Sequence, residues 1–111
     1  MEVRVNKKAE AYFDLVNEGN GIKIIKRHKE DLYPRNVWYE AEIKEENGRQ
    51  VVNLGDVKIR ETGKGVVIEH RTLGRLGYIR GGRIDGFEVD EDSHTVFIAE
   101  RQDEDQRGTV R

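Results

Sequence analysis

Tight-turn signals break the chain from Asn47 onward into short pieces: Asn47-Gly48, Thr62-Gly63-Lys64-Gly65, Gly81-Gly82 and the polar run from Asp90 to Thr95. Segments of that length, alternating apolar with polar residues between turns, read as antiparallel strands. An Asn-Gly pair suits a two-residue hairpin loop because both positions tolerate φ > 0. With Asn47-Gly48 as the loop, Ile43 falls opposite Val52 and Ala41 opposite Leu54, and Tyr39 joins Ala41 and Ile43 on that face. With Gly63-Lys64 as the loop, Ile59 faces Ile68, Lys58 faces Glu69 and Val57 faces His70, so an apolar pair and a charge pair agree on one register. Gly81-Gly82 reads as a third hairpin, with Arg80 facing Arg83 and Leu76 facing Phe87, which gathers Leu76, Tyr78, Phe87 and Val89 on one side. Beyond the last turn, Val89 is expected to pair with Val96 and Phe87 with Ile98.

Ahead of these turns, Met1 to Val5 alternates valine with charged residues, as a short edge strand does. Ala9, Tyr12, Phe13 and Val16 are spaced i, i+3, i+4 and i+7, with Asn6 as an N-cap and Gly19 as a stop, which predicts an amphipathic helix from Lys7 to Glu18. Gly21 to Arg27 is β-rich, and the segment up to Asn36, with the single proline, reads as a loop. The expected fold is therefore mainly β (α+β): an antiparallel meander closing into a small barrel, with one N-terminal helix. A two-layer β-sandwich is the alternative, since either arrangement hides sheet edges. Residues 1–101 are assigned to the single small β-barrel domain and 102–111 to a disordered polar tail, because that tail has too little apolar surface to order itself.

A chain of 111 residues suffices for one core without covalent staples. It has no cysteine, which removes disulfides, thiolate metal sites and a thiol nucleophile, and makes the cytoplasm the expected compartment. No apolar run has the length of a membrane span. Histidines His28, His70 and His94 fall in a loop, at a strand end and in a turn, with no two at ligand spacing. The only serine, Ser93, lies in a turn, and the glycine-rich runs lie between strands and open no helix, so neither triad hydrolysis nor phosphate cradling is indicated. The expectation is a non-enzymatic protein without cofactor or metal.

Charge segregation is the remaining functional signal. Lys23 to Lys29 carries Lys23, Lys26, Arg27 and Lys29 without an acid, and Arg71 to Arg83 carries Arg71, Arg75, Arg80 and Arg83 without an acid. Side by side, these segments would form a positive stripe with Tyr33, Tyr78 and Trp38 available for base stacking. That assigns RNA or single-stranded DNA binding to Lys23, Lys26, Arg27, Arg75, Tyr78, Arg80 and Arg83. Against it stands a net charge of −2, with nine acids between Asp85 and Asp105. The alternative is a protein-interaction module, such as a phage or viral accessory or assembly protein. It would engage a basic partner through an exposed Trp38 and the acidic 85–105 segment, in particular Asp90, Glu91 and Asp92. A small-ligand carrier with an open barrel interior is the third reading.

Ile79, Arg80, Gly81, Gly82, Arg83 and Ile84, preceded by Leu73-Gly74 and Gly77, resemble the second signature of the Sm-like RNA-binding proteins, a strand ending in Ile-Arg-Gly before the final strand. The resemblance implies a helix leading into a strongly bent small barrel, with Arg80 and Gly81 at the RNA-binding turn. The chain departs from that family in carrying only Asn53, after Val52, as a trace of the first signature's Asp and Asn pair, and in continuing through a further hairpin.

Overall fold

A computed structural model describes residues 1–27, 41–90 and 92–101, and for Arg27 the backbone alone. Ten strands are described: β1 (Glu2–Val5), β2 (Asp14–Glu18), β3 (Gly21–Arg27), β4 (Glu42–Glu46), β5 (Arg49–Leu54), β6 (Val57–Glu61), β7 (Gly65–His70), β8 (Gly74–Arg80), β9 (Gly82–Val89) and β10 (Ser93–Glu100). They form two antiparallel sheets, a larger one in the order β1-β8-β7-β6-β5-β4 and a smaller one in the order β2-β3-β10-β9. The mainly β expectation holds. The closed barrel does not, because the described strands divide into two sheets.

Two hairpins have the register that their loops dictate. Asn47 and Gly48 both take positive φ, 54° and 76°, and set Ile43 against Val52. Ile59 pairs with Ile68, Lys58 with Glu69 and Val57 with His70. The expected inner face holds for Val52 and Leu54, which are buried, and for Ala41, partly buried against the core, but not for Ile43. Ile43 remains 53% exposed, and all of β4 lies open to solvent. Tyr33, Trp38 and Tyr39 fall outside the described residues.

The Gly81-Gly82 hairpin is not formed. β8 pairs with β1 and β7 in the larger sheet, while β9 pairs with β10 in the smaller one, so the chain changes sheets at this point. Only Gly81 has positive φ, 79°. Gly82 is constrained by space, since a Cβ there would stand 2.7 Å from the Ile98 side chain. A glycine pair supports a corner as readily as a hairpin, and here the corner allows Ile79 and Ile84 to enter one core from different sheets.

Irregularities in β8 and β9 explain the misassigned faces. In the pairing of β7 with β8, Ile68 meets Gly77 but Glu69 meets Arg75, leaving Leu76 as an extra residue. In the pairing of β9 with β10, Phe97 meets Gly86 but Ile98 meets Ile84, leaving Asp85 as an extra residue. Each bulge breaks the alternation, so Leu76 and Ile79 are both buried, as is Ile84 with Phe87 partly buried beside it. Val89, expected inside, is 61% exposed. The last hairpin is displaced by two residues from its expected register, with Phe87 opposite Val96 and Val89 opposite His94. His94 thus lies within β10 and is buried, its ring stacked on Phe87.

The N-terminal helix is replaced by a 3-10 turn, Lys7–Ala11, followed by β2. Asn6 caps it as expected, its side-chain oxygen accepting from the Lys8 N–H at 3.1 Å. Gly19, at φ 53°, turns the chain into β3, which pairs with β2 from Glu18 opposite Gly21 to Asp14 opposite Ile25. A helix would have left that side of β3 without its backbone partners, so pairing overrides the helical spacing of the apolar residues. Ala9 and Phe13 are buried all the same, while Val16 is exposed.

Ala9, Phe13, Ile24, Leu54, Ile59, Ile68, Ile79 and Ile98 belong to one apolar core shared by both sheets. At the sheet-to-sheet corner, polar contacts fasten the layers. The Glu61 carboxylate accepts from the Gln50 N–H at 2.7 Å and from the Ile84 N–H at 2.8 Å, linking β6 to β5 and across to β9. The Gly81 N–H donates to the Lys64 carbonyl at 2.9 Å, and the Gly81 carbonyl accepts from the Arg101 N–H at 2.7 Å. The Arg101 guanidinium donates to the carbonyls of Thr62 and Gly63 in the β6–β7 turn.

Candidate nucleic-acid interface

Pairing geometry determines which bases can act together. Lys23 and Lys26 lie on β3 in the smaller sheet, whereas Arg75, Tyr78 and Arg80 lie on β8 in the larger sheet. The two basic segments are therefore not neighbours, and no single stripe runs through them. Arg83, on β9, belongs to the smaller sheet.

The smaller sheet spends its bases internally. Lys23 is 2.7 Å from the Glu18 carboxylate, and its ammonium stands 5.5 Å from the centre of the Phe97 ring. Lys26 follows Ile22 and Ile24 on the inward face and is only 8% exposed. It sits opposite His94 and is poorly placed to meet a large ligand. The backbone of Arg27 is opposite Ser93. Arg83 is 2.9 Å from Asp85, the residue that its own bulge turns outward.

The larger sheet offers a different arrangement on its outward face. One cross-strand row runs Arg4, Tyr78, Val67, Arg60, Val51 and Lys44. Val67 and Val51 are buried yet stand apart from the shared core, so this face has an apolar floor set between long side chains. Arg75 lies opposite Glu69 and Arg80 opposite Glu2 in the adjacent positions. The Arg75 guanidinium stands 5.8 Å from the Tyr78 ring centre. Arg4 is 3.0 Å from Glu2, and Arg60 is paired with Glu69. Among the described residues, Arg75 and Arg80 have no ion pair. Arg4 and Arg60 escaped sequence reasoning because each stands beside acids, Arg4 near Glu2 and Arg60 next to Glu61, outside any acid-free basic run. The alternation in Glu2–Val5 was the only available signal for Arg4, since it sets Arg4 on the side opposite the two valines.

Other candidates have structural employment. The His70 Nδ1 accepts from the N–H groups of Thr72 at 3.1 Å and Leu73 at 3.2 Å, and its ring packs on Tyr12, so it organises the turn before β8. With Nδ1 accepting, the proton of the neutral ring belongs on Nε2. Of the acidic-hairpin residues, Asp90 and Asp92 are exposed between β9 and β10, while Glu91 and Trp38 lie outside the described residues. No three His, Asp or Glu residues among those described are grouped so as to hold a metal ion. No described helix is long and apolar enough to cross a membrane.

Comparison with protein families, curated proteins and solved structures gives no match. Neither the N-terminal helix nor the closed barrel implied by the Sm-like resemblance is formed.

Proposed function

We propose that this protein is a cytoplasmic, non-enzymatic binding module that engages an anionic partner, RNA or single-stranded DNA, on the outward face of the larger sheet. The observation that carries the reading is the placement of Arg75 and Arg80, without ion pairs among the described residues, on either side of the half-buried Tyr78. A sheet face with an aromatic ring among guanidinium groups has the parts that single strands require: a π surface for a base and fixed positive charge for phosphates. Arg4, ion-paired with Glu2, stands directly across from Tyr78 at the border of this face. Lys23, Lys26 and Arg83, with their placement on the smaller sheet, take no part in this version of the site.

Titration of a labelled single strand, RNA and DNA in parallel, tests the reading through its salt dependence. Phosphate contacts release counterions, so the logarithm of the affinity should fall linearly with the logarithm of the salt concentration, with a slope near −0.7 per contact as a rough guide. Absence of binding at low salt, or binding indifferent to salt, overturns the proposal. Capture of a basic protein in its place would favour the acidic hairpin as the working surface.

A further inference from the structure

Among the described residues β1 is an edge strand of the larger sheet, and its backbone polarity can be read from its neighbours. The Asn6 N–H donates to the Leu76 carbonyl at 2.8 Å, continuing the pairing of Arg4 with Tyr78 and Glu2 with Arg80. On the other side of β8, the Gly81 N–H donates to the Lys64 carbonyl, continuing the pairing of Ile79 with Val66. Even-numbered residues of β1 therefore direct their backbone groups at β8, and Val3 and Val5 direct theirs outward. Val3 and Val5 are also apolar and each 38% exposed. Neither a proline nor a bulge guards this edge.

We infer that β1 pairs with β1 of a second copy in an antiparallel, two-fold arrangement centred on Val3, joining the larger sheets of the two molecules. Only residues whose backbone groups point outward can meet as hydrogen-bonded pairs, which restricts the two-fold axis to a few positions. Centring on Arg4 would oppose Arg4 to itself. Centring on Val3 sets Val3 against Val3, Met1 against Val5 and Glu2 against Arg4 twice over, so the strand is complementary to itself in charge. The Arg4 and Glu2 side chains are 76% and 50% exposed and already share one side of the strand, in reach of their counterparts. β2 and β9 lack this property, since the two-fold pairing of β2 sets Asp14 against Glu18 and β9 is interrupted by its bulge. β4 centred on Ile43 would set Glu42 against Lys44 in the same way, and charge reversal at Glu2 and Arg4 separates the two edges, because a dimer through β4 would be indifferent to it. The inference does not rest on the anion-binding reading, although Arg4 borders both surfaces.

Charge reversal decides it in the full chain. Sedimentation over a wide concentration range should show a reversible dimer for the native protein. Glu2→Arg and Arg4→Glu, separately, should each weaken it by about tenfold or more, since both symmetry-related pairs become repulsive. Mixing these two variants should restore a dimer, because each then supplies the charges that the other lacks, and the doubly reversed protein should dimerise like the native one. Rescue by mixing separates loss of pairing from loss of folding. A native protein that stays monomeric throughout, single variants that dimerise normally, or a double reversal that fails to restore pairing would each overturn the inference. The last outcome, with open-ended chains in the native protein, would indicate pairing of β1 with β4, where Arg4 can meet Glu42 and Glu2 can meet Lys44.

Discussion

Glu61 shows how much one side chain contributes at the junction of the sheets. Its two oxygens accept from N–H groups on β5 and β9, so both acceptors are committed. Glu61→Gln retains size but replaces one acceptor with an NH2 donor aimed at an N–H. Urea denaturation should show a loss of about 1–3 kcal/mol, the cost of leaving a partly buried donor unsatisfied. An unchanged midpoint would mean that water replaces the bond without penalty. Gly81 has a separate constraint. At φ 79° any Cβ is strained, and Gly81→Ala should cost about 1–2 kcal/mol in the same measurement. Gly65 resembles it for another reason, because a Cβ there would overlap the Ile79 carbonyl oxygen.

At the level of elements, the sequence was most legible where a two-residue loop fixes everything downstream. Asn47-Gly48 and Gly63-Lys64 each set a register that the structure keeps. Gly81-Gly82 was not legible, because φ > 0 serves both a hairpin and a sheet-to-sheet corner, and the difference depends on whether Ile79 and Ile84 share a core from two sheets. The extra residues Leu76 and Asp85 were equally hidden, since a bulge leaves no mark in an alternating pattern except the three-residue spacing of Leu76 to Ile79 and of Ile84 to Phe87. The helix expected from Lys7 to Glu18 failed because local spacing carried no information about β3's need for a partner. Of the proposed site, Arg75, Tyr78 and Arg80 were visible as an acid-free basic segment, while Arg4 and Arg60 required strand order. Amide hydrogen exchange tests the element hierarchy. β7 and β10, each flanked by strands and rich in buried residues, should be protected most, and the fully exposed β4 should exchange fastest among the strands. Comparable protection in β4 would show that something covers that edge in solution.

For the whole molecule, what matters is where the positive charge ends up. Net charge is −2, so no general attraction draws this protein to phosphate, and binding must come from local clustering. Folding sorts the bases onto two sheets with one shared core between them. On the smaller sheet, Lys23 and Arg83 are neutralised by Glu18 and Asp85. On the larger sheet, Arg75 and Arg80 flank Tyr78 without such pairs among the described residues.

The most direct measurement therefore compares the two faces in a single titration with a labelled single strand at low salt. Arg75→Ala with Arg80→Ala should reduce affinity sharply, by about 3 kcal/mol or more if each charge-assisted contact is worth about 1.5 kcal/mol or more, with a shallower salt slope and little change in melting temperature. Lys23→Ala with Arg83→Ala should leave both affinity and salt slope close to native. Equal losses from the two double variants, or a loss confined to Lys23 and Arg83, would contradict the assignment of binding to the outward face of the larger sheet.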